Sequence, residues 1–404
     1  MNKILCLLLT AVVVSTSWAQ TDTARILYYN ILDFPSGGAS RADTMKKIFA
    51  YAEPDLILVN ELETLFGANL ILNSALNVDG VTRYDKAVFY NGTDTDNMLF
   101  YDSEKFELLE QFQIGTSLRD ISEYHLYFKP SGADSVHFWA YSCHLKAGSW
   151  QSDEDQREDE AMAFKSYLDN KGRTGNIIVG GDFNFYTSAE GGCQSMLYDG
   201  SVQLKDPINL LGGWNNNSFY SSIHTQSTRT ATGFAGGSSG GMDDRFDIIF
   251  TTQEVLDGSE GMMMVPGSYQ ALGQDGSHFN DNINDGVNTA VPSDIADALF
   301  YNSDHLPVMM DISFDIPVGI QQNETLIAHH TLTNYQRTLN VRLAEFHNAL
   351  ELQFFDLNGK LVKLVRSSGQ DINVDISDLN TGLYLVKLKS DDKQSILRVV
   401  KTEK

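Results

Sequence analysis

Between Ala24 and Asp315 the sequence repeatedly runs a short apolar stretch into a cluster of carboxylate, amide or imidazole side chains. Stretches of that kind are buried strands, and the polar group ending each one must surface at a sheet edge, among loops. Residues 26–29, 56–59, 98–101, 124–128, 138–143, 176–179, 245–250 and 308–313 read as such strands. Residues 44–52 and 154–168 place apolar side chains at helical spacing and read as amphipathic helices. The strands at 98–101, 124–128 and 138–143 are spaced as antiparallel neighbours. Mixed strands with helices laid outside them predict an α+β fold, a four-layer α/β-sandwich of two packed mixed sheets flanked by helices. Residues 215–241 and 258–285, rich in small and amide side chains, read as long loops of the kind that often carry function.

The two ends of the chain read differently. Lys3, an apolar stretch over residues 4–14 broken only by Thr10, and the small residues Ser17 and Ala19 make residues 1–19 a secretory signal peptide. Cys6 stands too early to be a lipoprotein cysteine. No other apolar run has spanning length, so the mature protein is expected to have no transmembrane segment. Export permits a disulfide between Cys143 and Cys193, while a buried thiol suits Cys143 equally well on its core strand. Past a break at Ile316-Pro317, residues 353–356, 360–365, 372–376 and 383–389 alternate as strands, with Asn358-Gly359 as a hairpin turn. Residues 318–404 thus read as a small all-β sandwich behind a main domain spanning 24–316. Residues 317–404 hold 11 Lys and Arg against 10 Asp and Glu, so the net charge of −24 lies in the main domain. An acidic body repels polyanions at long range, although a metal cluster and a few local cations can override that field.

The polar clusters, in order, are Tyr29-Asn30-Ile31, Asn60-Glu61, His144-Leu145-Lys146-Ala147, Gly181-Asp182-Phe183-Asn184, Arg245-Phe246-Asp247 and Ser303-Asp304-His305. Each alone is an ordinary strand-ending turn. As a set they match what phosphoester cleavage needs: an acidic metal ligand, a base or orienter for water, donors to the phosphorane, and an acid. Glu61, Asp182, Asn184, His144, Asp304 and His305 fill that inventory.

The order and wording of these motifs resemble the endonuclease/exonuclease/phosphatase superfamily, over nearly all of residues 24–315. The resemblance implies a hydrolase acting on phosphoester bonds, with Mg²⁺ or Mn²⁺ as cofactor. It implies metal-site roles for Glu61, Asn30 and Asp304. His144 would contact the phosphate and protonate the leaving oxygen, Asp182 would orient or deprotonate water, and Asn184 would bind a phosphate oxygen. His305 would donate to the scissile phosphate, with Asp247 fixing its tautomer and Asp244 an adjacent competitor for that place. Arg119 resembles a substrate-facing position. Asp94, Thr95 and Asp96 are the candidates to back His144. Two loop clusters, one with His224 and Arg229 and one with His278, are further candidates for phosphate contact or for a wall of the cleft.

The tail resembles the C-terminal sorting domains read by type IX secretion machinery, through Asp356-Leu357-Asn358-Gly359-Lys360, Asp378-Leu379-Asn380-Thr381-Gly382-Leu383-Tyr384 and the basic Arg398-Val399-Val400-Lys401. That implies passage through the periplasm to the outer surface or the medium. The expected function is a secreted metal-dependent phosphodiesterase, with DNA or RNA among the candidate substrates. A phosphomonoesterase or a sphingomyelinase-like lipid phosphodiesterase would use the same site, and a surface-displayed binding protein without activity is the alternative of another class.

Overall fold

The computed structural model describes residues 20–131, 136–233, 235–316, 327–333, 337–356, 359–390 and 393–401. The signal peptide expected at residues 1–19, the break at Pro317 and Asn358 of the tail's turn lie outside the described residues. The chain divides into two compact units, residues 19–317 and a second built on residues from 318 onward.

The first unit begins β1 (Gln20–Phe34), α1 (Arg41–Ala52), β2 (Leu56–Leu62), α2 (Leu65–Leu70), β3 (Tyr84–Lys86), β4 (Asp96–Asp102). It continues β5 (Phe106–Ile114), β6 (Ile121–Phe128), β7 (His137–His144), α3 (Gln151–Lys171), β8 (Ile177–Asp182), α4 (Gly191–Tyr198), β9 (Asp247–Thr251). It closes α5 (Gln253–Asp257), β10 (Met262–Met264), β11 (Gln270–Ala271), α6 (Ser293–Asn302), β12 (Val308–Ile316). One mixed sheet runs β10-β12-β1-β2-β4-β3, with β11 also on β12, and the other runs β5-β6-β7-β8-β9.

Alternation along β1 shows how the layers stack. Tyr28 points at the second sheet, where a side chain on Gly180 would strike its ring. Its neighbour Tyr29 points the other way, and its hydroxyl accepts from Asn302 on α6 at 2.9 Å. Between the sheets Phe314 of β12 stacks on Phe128 of β6, with ring centroids 4.2 Å apart, beside Phe106 and Phe138. On the far side of the second sheet Tyr141 meets Phe164 of α3 edge to face. The order is helices, sheet, sheet, helices, the four-layer sandwich expected from the sequence.

Several local expectations need correction. β4 is not a neighbour of β6; it pairs antiparallel with β2 in the first sheet. The neighbours of β6 are β7 and β5, and β5 mixes Glu and Gln with its apolar residues, so it carries no apolar run to read. The segment at 258–285 contains β10 and β11. Cys143 and Cys193 are both free, buried thiols, and burial pushes both up in pKa. No helix among the described residues is long and apolar enough to cross a membrane.

Buried Arg245 ties the loop before β9 to the core. Its guanidinium makes a two-pronged pair with Asp206, 2.9 Å on each arm, and lies over the Trp214 ring. Removing either partner would strand the other charge in the interior, a cost of about 3–5 kcal/mol.

The second unit is all antiparallel: β13 (Ile327–Thr333), β14 (Thr338–Phe355), β15 (Leu361–Asp375), β16 (Gly382–Ser390) and β17 (Lys393–Lys401), in the order β13-β14-β16-β17 with β15 also on β14. The strands expected at 360–365 and 372–376 are one long strand, β15, whose ladder with β14 breaks register near His347. The two halves close over a core of their own, including Leu339, Val341, Leu352, Phe354, Val374 and Val386.

Candidate active site

Strand pairing, parallel for β1 with β2 and for β7 with β8 and antiparallel for β8 with β9, brings the polar strand ends together. β1 and β2 align Asn30 with Asn60, β7 and β8 align His144 with Asp182, and β8 and β9 align Asp182 with Asp247. Asn30 and Asp182 belong to different sheets yet touch, so the strand ends of both sheets meet at one place. Gly181 explains how the backbones approach so closely. Its φ is +130°, and a side chain there would collide with the Cys143 carbonyl oxygen. Glu61 and Asn184 leave their strands with φ of +61° and +54°. Those left-handed conformations cost on the order of 1 kcal/mol each and turn both side chains into the site.

Asn30 bridges the two carboxylates. Its amide donates to Glu61 Oε1 at 2.8 Å and to Asp182 Oδ2 at 3.0 Å, while its oxygen accepts the Leu32 N–H. His144 Nε2 lies 3.7 Å from Glu61 Oε1 and 3.6 Å from Asp182 Oδ2. His305 Nε2 lies 3.7 Å from the same Asp182 oxygen. Behind His305, Nδ1 donates to Asp247 Oδ2 at 2.7 Å, which settles the competition with Asp244, whose side chain accepts from Asn215. Asn184 donates its amide to the Leu145 carbonyl, and its N–H bonds Asp182 Oδ1.

Burial dominates the electrostatics. It pushes Glu61 up to about 7, reinforced by Asp304 and Asp33 against the pull of His305 and Asn30. It pushes Asp182 up to about 6, with Asp247 adding to the rise. Burial, then Arg119 and His305, holds His144 well below the ordinary imidazole value, so the ring is neutral. Burial works against charge on His305 too, but Asp247, Asp182 and Asp304 overcome it and hold that ring well above the ordinary value.

Glu61, His144 and Asp182 offer ligand atoms that all lie within 4.8 Å of one another. Two carboxylates whose ionisation is opposed by burial, beside a neutral imidazole, form a donor set that a divalent cation would satisfy, and oxygen donors suit Mg²⁺ or Mn²⁺. Of the residues expected at the metal site, Glu61 belongs to this trio and Asn30 orders its two carboxylates. The Asn30 oxygen is already engaged, and Asp304 stands outside the trio with Oδ2 accepting the Ser238 N–H at 2.6 Å.

The remaining candidates are placed as follows. Arg119 pairs with Asp94 at 2.9 Å and sits 3.5 Å from the Leu145 carbonyl, at the rim. With Asp94 so engaged and Asp96 accepting the Gly92 N–H, neither backs His144, whose buried Nδ1 has no hydrogen-bond partner among the described residues. His224 is not brought to the cluster: its Nε2 bonds the Trp214 carbonyl and its ring packs near Phe279. Arg229 is buried, its charge offset by Asp304. The residue of this loop that reaches the site is Gln226, whose side-chain amide lies 2.6 Å from His305 Nε2. The loop sequence carries no periodicity that would single it out.

His278 knits the other loop together. Nδ1 faces the Asp275 carboxylate and Nε2 the Asp285 carbonyl, both at 2.8 Å. Neither acceptor can donate, so the ring is held as imidazolium. Burial opposes the charge, but these bonds and the nearby Asp281 raise the pKa above its ordinary value. The stabilisation is complete below the unfolded pKa of about 6.5 and is lost as pH rises through the higher folded value. In urea unfolding at a series of pH values, the gap between wild type and His278→Ala is expected to be widest in acid and to shrink upward. A gap independent of pH would show that the ring is neutral.

Residues 335–402 match the secretion system C-terminal sorting domain. No curated protein matches the chain. Solved structures similar to it include an endonuclease/exonuclease/phosphatase family protein from Bacteroides thetaiotaomicron, 15% identical over 74% of this chain and 98% of that one, with a TM-score of 0.47. D. rerio TDP2 complexed with single-strand DNA product is 13% identical over 72% of this chain and 98% of its own, with a TM-score of 0.49. The human Nocturnin catalytic domain with bound sulfate is 17% identical over 73% and 97%, with a TM-score of 0.45.

Proposed function

We propose that the protein is a secreted, metal-dependent phosphodiesterase. The observation that carries this reading is the meeting of Glu61, Asp182 and His144 with an Asp247-backed His305 at the strand ends of two sheets. A divalent cation held by Glu61, with Asp182 and His144 in reach, would supply positive charge at a phosphate oxygen and to the attacking water. Asp182, pushed up to about 6, is basic enough near neutral pH to orient that water and draw its proton. His305, fixed by Asp247, donates to a non-bridging oxygen as negative charge builds there. His144 Nε2 faces the same space, and Asn30 keeps both carboxylates in register. Asn184 stands beside Asp182 as a further amide donor.

Nucleic acid is one substrate class for this site; lipid phosphodiesters and phosphomonoesters are others. The cations at the rim, Arg119 and Lys146, are each paired with a carboxylate, which favours short diesters over long polyanions. The test is a hydrolysis panel with Mg²⁺ or Mn²⁺: bis-p-nitrophenyl phosphate, plasmid DNA, RNA, sphingomyelin and inositol phosphates. Turnover of the small diester is expected. No turnover of any of the five would refute the reading and favour a binding protein.

The tail acts in export through type IX secretion machinery and takes no part in the chemistry. The residues of the site all precede it, and each unit has its own core. A chain spanning residues 20–316 is expected to fold in a foreign host with kcat/KM unchanged, and to remain in the periplasm of the native one. A folded but inactive truncation, or one still exported, would contradict this.

A further inference from the structure

Gln226 belongs to a segment that the site's chemistry has not so far used. Its backbone is fixed at both polar groups: its N–H donates to the Asp244 carbonyl, and its own carbonyl accepts from the N–H groups of Asp243 and Asp244. A backbone bridge also joins it to His305. The side chain is buried, and it has one hydrogen bond among the described residues, the 2.6 Å contact between its amide and His305 Nε2. Because Nδ1 of that ring donates to Asp247, Nε2 is the atom left to face a phosphate. Nε2 in turn lies 3.7 Å from Asp182 Oδ2, whose neighbours are His144 and Glu61. The amide therefore stands where a phosphate oxygen must come to reach His305.

We infer that Gln226 is a phosphate-contacting residue. In the free protein its side-chain amide faces His305, the amide oxygen accepting the Nε2–H; on binding, the amide turns an N–H to a non-bridging phosphate oxygen, and His305 Nε2–H donates to the same phosphate. Two donors then converge on an oxygen that gains charge in the transition state, while the fixed backbone keeps the cost of reorientation to one side-chain rotation. The alternative donors of the loop point elsewhere, His224 to the Trp214 carbonyl and Arg229 buried near Asp304. An amide suits this place better than a charged group. It delivers a donor without adding a cation beside the metal site, and it can present either face to the imidazole.

The inference rests on the proposed phosphoesterase reading, and the experiment separates the two. Gln226→Met keeps length and volume but has no donor. With bis-p-nitrophenyl phosphate and Mn²⁺, kcat/KM is expected to fall by about 10²-fold, the scale of losing one transition-state donor. Inorganic phosphate, titrated by calorimetry in the presence of Mn²⁺, is expected to bind at least tenfold more weakly. Gln226→Glu should lose more, since a carboxylate repels the phosphate. Should Gln226→Met fail to fold, Gln226→Asn, which keeps the amide and shortens its reach, makes the same comparison. Wild-type turnover with Gln226→Met unimpaired would overturn the inference and leave the phosphoesterase reading intact. Lost turnover with phosphate affinity unchanged would overturn it too, reducing Gln226 to a support for His305. Phosphate binding that depends on Gln226 in a protein that hydrolyses nothing would keep the inference and remove the reading.

Discussion

His305→Ala and Asp182→Ala are each expected to lower kcat by about 10²-fold or more, the usual loss for a group acting on the transition state. Both side chains are buried and aimed at one point, with His305 Nε2 and Asp182 Oδ2 3.7 Å apart. Alanine at either position removes that function without disturbing a strand. His144→Ala should act on the same phosphate, so the double change His144→Ala/His305→Ala should fall short of the product of the single effects. Asp247→Asn keeps the shape but weakens the hold on Nδ1 and the stabilisation of charge on the ring, and should lie between wild type and His305→Ala. His125→Ala is the control. It lies on β6, stacked on Trp139 with 3.9 Å between ring centroids, away from the strand ends, and should leave kcat unchanged. Steady-state rates on the small diester, with melting curves to establish folding, decide the matter. Full activity in Asp182→Ala would mean that the site lies elsewhere.

The site residues were legible because most of them close an apolar strand, and burial of a strand fixes where its end emerges. Asn30, Glu61, His144 and Asp182 are of that kind, while His305 lies between α6 and the start of β12. Partner choice between strands was less legible. Nothing local in residues 98–101 says that they pair with β2 and not with β6, because ladder hydrogen bonds are common to all strands. β5 escaped notice since Glu and Gln interrupt its apolar residues, as suits a sheet-edge strand. Residues 224–229 show a deeper limit. Their sequence announces His and Arg as the chemistry-bearing side chains, yet the path of the loop buries both and presents Gln226. A loop's direction is set by tertiary bonds, here those of Thr225 to the backbone of Phe246 and Asp247 and of Thr228 to Asp304, and no local pattern encodes them. The same holds around the proposed metal site. The motif order pointed to Asn30 at the metal site, and how it acts there, by bridging Glu61 and Asp182, depends on tertiary contacts.

Chelation by EDTA is expected to abolish hydrolysis, and Mg²⁺ or Mn²⁺ to restore it. Without a cation the site places Glu61 and Asp182 together out of water, and burial drives their pKa values to about 7 and about 6. Protons and a divalent cation therefore compete for the same oxygens, and metal affinity should weaken as pH falls through that range. The concentration of Mg²⁺ giving half-maximal rate should accordingly rise from pH 8 to pH 6. A cation that binds the native state alone also raises the melting temperature, and this readout does not require turnover. Glu61→Gln keeps the contour of the side chain and removes its charge. It should flatten the melting-temperature response to Mn²⁺ and shift the rate dependence to higher metal, whereas Asp304→Asn, outside the trio, should leave that response in place. Undiminished activity in chelator would show that the carboxylate pair works by proton transfer alone. A melting temperature raised by Mn²⁺ equally in wild type and Glu61→Gln would place the bound cation at another site.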